Sequence, residues 1–186
     1  MNKTLRSLAA VAMLAALPVA SALAADYVQA PGSRLAFATT YDGQVFAGTF
    51  PGFAAVLSFD PAHLDAAKLD VTIPLAGANT GNDDRDSTLR TADFFDVGTF
   101  AQARYTATTF RDLGGGKYAA DGTLALKGVS KPVTLTFTWT PGAQPVLFGR
   151  ASIKRLDFGI GTGDWADTRS IPAEVAVSTR VVFKPR

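Results

Sequence analysis

Three stretches of this chain alternate apolar and polar side chains with a period of two. Leu69, Val71, Ile73 and Leu75 alternate with Lys68, Asp70 and Thr72. Val133, Leu135, Phe137 and Trp139 alternate with Thr134, Thr136, Thr138 and Thr140. Val175, Val177, Val181 and Phe183 alternate with Glu174, Ser178, Arg180 and Lys184. A two-residue period with β-branched residues on the outer side predicts antiparallel strands buried on one face only. Weaker runs of the same kind cover residues 34–41, 44–60, 103–110, 117–127 and 146–155. Asp42-Gly43, Asp60-Pro61, Gly114-Gly115-Gly116, Gly128 and Pro141-Gly142 punctuate them. Pro51-Gly52 falls inside a run and predicts a bend or bulge. The sum is an all-β chain of about eight strands, without internal repeats or a linker. Periodicity allows either a sandwich or a closed barrel. A barrel removes edge strands, and at eight strands its interior is filled by side chains or holds one slender ligand.

The first residues read differently. Lys3 and Arg6 precede an apolar run from Leu8 to about Ala20, and Ala22-Leu23-Ala24 supplies a small-residue cleavage site. That is the grammar of a secretory leader. Residues 1–24 are therefore expected to be removed, and residues 25–186 to form one soluble, exported, periplasmic domain. A domain of roughly 160 residues buries enough surface to fold without staples, and this chain has no cysteine. Lys3 and Arg6 leave with the leader, so 18 basic and 16 acidic residues become 16 of each. The basic balance of the precursor is then no argument for nucleic acid. Met1 and Met13 leave as well, so the mature chain offers no thiolate or thioether.

One segment breaks the β pattern. Residues 80–96 hold the charged block Arg85-Asp86-Ser87-Thr88-Leu89-Arg90-Thr91-Ala92-Asp93-Phe94-Phe95-Asp96. Asn82 or Asp83 can cap a short helix, with acidic residues in its first turn. A charged, Phe-tipped insertion in a β chain suggests a cap over a mouth. Adjacent side chains are expected to diverge on any backbone, so at most one of Phe94 and Phe95 is expected to face the interior. Arg85 and Asp86 are expected to pin the segment by pairing with Asp93 or Arg90. Asp83, Asp84 and Asp86 lack the ligand spacing of a calcium loop. His63 is the single histidine, in an expected exposed turn after Asp60-Pro61, and neither a triad nor a Gly-x-Ser-x-Gly elbow accompanies it. No enzyme chemistry, metal or cofactor is indicated. Gly159-Ile160-Gly161-Thr162-Gly163 lacks a following helix and reads as a flexible loop, not a phosphate cradle.

Three blocks in order make the chain resemble the YceI family of exported, lipocalin-like, polyisoprenoid-binding proteins. They are the Arg85–Asp96 block, Gly122-Thr123-Leu124-Ala125-Leu126-Lys127-Gly128-Val129-Ser130-Lys131-Pro132-Val133, and Arg155-Leu156-Asp157-Phe158-Gly159-Ile160. Ser33-Arg34-Leu35-Ala36-Phe37 and Gly48-Thr49-Phe50 also fit. Two positions depart: Tyr41 or its neighbours stand where relatives often carry histidine, and Ala101 replaces a usual proline. The resemblance implies a single eight-stranded antiparallel lipocalin-like barrel holding a long isoprenoid, quinone or polyprenyl in type, in an apolar tunnel. The implied lipid is a ligand and not a cofactor. Tunnel and mouth residues are then Phe37, Phe50, Phe53, Leu89, Arg90, Phe94, Phe95, Leu124, Leu126, Phe137, Trp139, Arg155 and Phe158, with Arg85, Asp93 and Asp164 as further groups at the mouth.

The implied role is a periplasmic carrier or sequestering protein, in transient contact with a membrane or a membrane redox protein, as monomer or homodimer. The rival reading is an interaction module whose aromatics fill the barrel, associated with an envelope redox system. At about 0.8 kcal/mol per buried CH₂, a tail of roughly forty carbons would gain about 30 kcal/mol from water. Non-covalent binding saturates near 18–21 kcal/mol. The relevant starting state is therefore a membrane, and selectivity falls to tunnel shape and the polar groups at the mouth.

Overall fold

The computed structural model describes residues 25–186; the expected leader lies outside the described residues. The structure has strands β1 (Ala25–Gln29), β2 (Arg34–Tyr41), β3 (Gln44–Thr49), β4 (Ala54–Phe59), β5 (Lys68–Pro74), β6 (Gln102–Gly114), β7 (Lys117–Leu126), β8 (Val129–Thr140), β9 (Val146–Lys154) and β10 (Glu174–Pro185), with one helix, α1 (Asp83–Arg90); β2 to β10 arise from the alternating runs, residues 44–60 giving two strands, and β1 lies outside them. All pairings are antiparallel. They run β4-β5-β6-β7-β8-β9-β10 in order, and β1 pairs with both β4 and β10, which closes the wall. β2 pairs with β10 and β3.

The first two strands therefore share one position in the wall, and β3 shares another with β4. The result is an eight-stranded closed barrel. Its first hairpin is interrupted at Pro31-Gly32 and at Pro51-Gly52, where Gly32 and Gly52 take φ of 87° and 76°. The two halves of that hairpin differ in register by one residue, Ala25 facing Phe59 but Ala36 facing Thr49. The bend expected at Pro51-Gly52 is this break. On its other edge β3 pairs with no strand, and Thr49 at its end exchanges two backbone hydrogen bonds with Asn79, at 2.8 and 2.9 Å.

The strand ends divide the barrel into two unlike halves. At the end carrying the β4–β5, β6–β7 and β8–β9 connections, large aromatics meet in the middle. The Phe59 ring lies 5.2 Å from Tyr118, 5.6 Å from Phe137, 5.2 Å from Trp139 and 5.9 Å from Phe110. Tyr27 and Phe183 complete the plug against Trp139. Phe59, Phe137, Phe183, Leu57 and Leu147 are at most 2% exposed. The tilted and edge-on ring geometry suits the aromatic quadrupole.

The other end is roofed by residues 75–100 and 155–173. Asn82 caps α1 through its side-chain oxygen, which accepts from the Arg85 amide at 2.9 Å. The charged pairing expected here is replaced by a neutral one. Asp86 is buried and accepts from the Thr80 amide at 2.8 Å and from the Thr80 hydroxyl at 2.6 Å. Arg85 donates to the same hydroxyl at 2.9 Å and stacks over the Phe46 ring. A short carboxylate can reach the loop just before its own helix turn, which outcompetes a longer-range partner.

Truncating the plug's central ring should leave a large void. Phe59→Ala is expected to lower unfolding free energy by about 3–5 kcal/mol, measured by urea denaturation.

Candidate functional site: an apolar hollow under the cap

Between plug and cap the barrel is hollow. Inward positions there carry Val133, Leu135, Val175 and Val177, which are only half-buried because they face the open interior. Shorter aliphatics at these rows cannot span a barrel whose width is fixed by strand number. The cavity measures about 210 Å³. That exceeds the roughly 150 Å³ apolar cavity that stays dry and admits a benzene-sized guest.

The wall presents only carbon, although Tyr105, Thr179 and Arg155 contribute to it. Each turns its polar atoms away. The Tyr105 hydroxyl is bonded to the Ala120 carbonyl at 2.7 Å, and burial pushes its pKa up to about 12. Gly122 makes room for that ring: a Cβ there would fall 2.6 Å from the Tyr105 ring and 2.5 Å from the Thr106 carbonyl oxygen. The Thr179 hydroxyl donates to the Arg34 carbonyl at 2.9 Å. The Thr39 hydroxyl is likewise closed off from the hollow, but it lacks a partner among the described residues.

Of the residues singled out by sequence, Phe37, Phe50, Phe53, Leu124 and Leu126 line the hollow from the strands and the first break. Leu89, Phe94 and Phe95 line it from the cap. Both phenylalanines are 7% exposed, against the expectation that one would point elsewhere. They sit in a turn after α1 rather than in a strand, so neighbouring side chains need not diverge. Phe95 meets Phe50 edge-on at 5.7 Å, and Phe94 meets Trp165 at 5.5 Å.

Four others stand off the wall. Phe137 and Trp139 belong to the plug, and Phe158 is buried beneath the cap without reaching the cavity. Arg90 is exposed and donates to the Ala76 carbonyl at 3.1 Å. The aliphatic positions on β5, β8, β9 and β10 that face the hollow were visible in the alternation. Choosing aromatics as the tunnel residues passed over them.

Arg155 touches the cavity with its carbon stem, while its guanidinium is spent on the cap. It donates to the carbonyls of Pro172 at 3.0 Å, Ile160 at 3.0 Å, Gly161 at 2.8 Å and Ile171 at 2.8 Å. The residue is 3% exposed, and burial lowers its pKa. Gly159-Ile160-Gly161-Thr162-Gly163, expected as a flexible loop, is the hydrogen-bonded turn that wraps this group. Gly161 has φ of 70°, and a Cβ there would lie 2.5 Å from the guanidinium. The Gly161 and Thr162 amides in turn donate to the Asp93 carbonyl at 2.7 and 3.2 Å. Lys127 bridges the Ala92 and Gly159 carbonyls at 2.6 and 2.7 Å. The three sequence blocks thus converge on one cap, joined by cations on backbone carbonyls. Asp164 is exposed. His63 lies near the opposite end, exposed and paired with Asp60 at 2.8 Å.

The comparisons agree with this geometry. A family model described as YceI-like domain matches residues 27–183. A UPF0312 protein of Serratia proteamaculans is 36% identical over 174 residues, covering 87% of this chain and 88% of the relative. Another from Shewanella baltica strain OS185 is 36% identical over 119 residues, and the match spans 62% of either chain. Among solved structures, Burkholderia cenocepacia BcnA superposes with a TM-score of 0.78 at 30% identity, over 81% of this chain and 95% of BcnA. A polyisoprenoid binding domain from Saccharophagus degradans shares the fold, with a TM-score of 0.67 at 20% identity over 88% and 99% of the two chains.

Three measurements probe this arrangement. Val177→Ala, which faces open space, should cost far less than Phe59→Ala in the same urea titration. Arg155→Ala should destabilise by at least about 1–3 kcal/mol, the cost of leaving buried carbonyls without donors. Of the four tyrosines, Tyr105 should release its phenolic proton last, near pH 12. Because the folded pKa is raised above 10.0, its contribution to stability is complete below that value and is lost as pH rises through about 12. Absorbance titration of the parent and Tyr105→Phe checks both statements. The chain belongs to the YceI-like family.

Proposed function

We propose that the protein is a periplasmic carrier or sequestering protein for a long-chain isoprenoid lipid of quinone or polyprenyl type. The observation that carries the reading is the cavity wall. It offers carbon only, it is stopped at one end by an aromatic plug, and it is roofed at the other by a cap. A slender apolar chain is the guest such a hollow suits. The description of the Saccharophagus degradans domain as polyisoprenoid binding supports the choice of lipid. The hollow also speaks against the rival reading of a fully packed interaction module. The periplasmic location rests on the leader-like residues 1–24. No helix among the described residues is long and apolar enough to cross a membrane.

Thr39 supplies the polar end of the reading. Its unpartnered hydroxyl lies on the β2–β3 hairpin beside Phe46, at the cap end of the hollow. It is closed off from the hollow here, and a rotation about its Cα–Cβ bond would have to present it before a headgroup carbonyl or hydroxyl could satisfy it. Burying a hydroxyl without a partner is costly, and that cost would be removed on binding.

Mass spectrometry of organic extracts from gently purified protein tests the carrier reading. A co-purifying isoprenoid supports it, and an extract free of lipid from every preparation counts against it. Val177→Phe should exclude the guest while leaving the fold intact. Thr39→Val should keep the fold and lower retention of a polar-headed isoprenoid by up to about ten-fold, the worth of one hydrogen bond.

A further inference from the structure

The outer wall of the barrel carries a line of cations with no acidic counterpart. Strand register sets Lys117 of β7 opposite Thr138 of β8, Thr138 opposite Phe148 of β9, Phe148 opposite Arg180 of β10, and Arg180 opposite Arg34 of β2. Lys117 and Arg34 lie four strands apart in an eight-stranded wall and so face opposite sides, whereas Phe148, Arg180 and Arg34, on β9, β10 and β2, are neighbours on one side. In the next row Arg150 lies opposite Ser178, diagonal to Arg180. All four cations are exposed.

Like charges directly opposite on adjacent strands destabilise a sheet. No carboxylate pairs with them, although Arg180 donates to the Gly32 carbonyl at 2.9 Å. The ion pairs among the described residues are Asp60–His63, Asp70–Arg104, Asp121–Arg111 and Asp167–Arg169, and none includes a member of this row. The acids nearest in register are already engaged. Asp112 accepts from the Gly114 amide, Asp121 from Arg111 and Thr134, and Glu174 from Ser152. Arg180 instead lies over the Phe148 ring, 5.6 Å from its centre. That ring is 50% exposed.

We propose that this face docks on an anionic phospholipid surface. The patch of Arg34, Arg150 and Arg180 is an outward-curving wall without a groove, which suits an extended surface that repeats one anionic group. Guanidinium groups fit phosphate oxygens in bidentate fashion. An exposed aromatic ring among them settles at headgroup level. The face lies on the outside of the wall, so docking and the contents of the cavity are separate properties. A docked barrel keeps its lipid whether or not the face is intact.

Co-sedimentation with phosphatidylcholine vesicles, with and without phosphatidylglycerol, tests the idea. The parent protein should bind only the anionic vesicles and should release as salt rises. Combining Arg34→Gln, Arg150→Gln and Arg180→Gln should weaken binding at least about ten-fold, with no change in melting temperature or in extracted lipid. Phe148→Ser should weaken it a few-fold at unchanged salt sensitivity. Equal binding to both vesicle types, or a triple variant that binds like the parent, overturns the proposal. Capture by a soluble acidic polypeptide in preference to the anionic vesicles also overturns it, in favour of a protein partner.

Discussion

A closed barrel of eight strands has an interior of nearly constant width, so the size of each inward side chain decides whether that level is solid or open. In this protein the decision differs along the axis. Phe59, Phe110, Tyr118, Phe137 and Trp139 reach across and touch at one end. A few residues along the same strands, Val133, Leu135, Val175 and Val177 fall short of each other. No change of backbone is needed to pass from a packed core to a cavity. The plug supplies the cooperative packing that holds the barrel together, and this lets the other half remain hollow. Stability and binding capacity are thereby placed in different rows of the same strands.

The cap follows a different principle. Its long-range ties are cations held by backbone carbonyls, Arg155 by four and Lys127 by two. Carbonyls at the ends of tight turns are acceptors that no regular structure satisfies, and a buried guanidinium presents enough donors to collect several at once. One arginine can thus fix the geometry of two chain segments that share no sheet. This accounts for glycine at position 161, where any Cβ would meet the guanidinium. It also accounts for the joint occurrence of the three sequence blocks, because each supplies one side of the same joint.

Much of the wall was legible in the sequence, and the cap much less so. A period of two reports which face a residue occupies, and that was enough for the strands, their turns and the break at Pro51-Gly52. It says nothing about what an inward residue meets. Phe137 and Val133 lie on one face of β8, yet one is plug and the other cavity wall. The difference depends on partners from Phe59 and Tyr118, distant in sequence. Hydrophobic size alone drew attention to the aromatics. The cavity is instead marked by where large side chains stop. Within the cap, charges suggested ion pairs, but the structure pairs Asp86 with Thr80 and Arg155 with carbonyls. Main-chain acceptors are invisible in a sequence because every residue carries one.

An apolar wall has consequences for how a lipid could be exchanged. Hydrocarbon gains little on moving from a bilayer into a carbon-lined hollow, because both surroundings are equally free of water. Affinity relative to the membrane must then come from the few polar atoms that meet the headgroup and from the cost of opening the cap. A tail held in this way is retained against water yet remains free to return to lipid, which is the balance a carrier requires. The cap contributes by its construction: Leu89, Phe94 and Phe95 line the hollow, while the ties that hold them in place run through the Asp93 carbonyl, Lys127 and the guanidinium of Arg155. On the proposed carrier reading, loosening those ties would open the hollow without disturbing the plug, and the rate of exchange would be set at the cap.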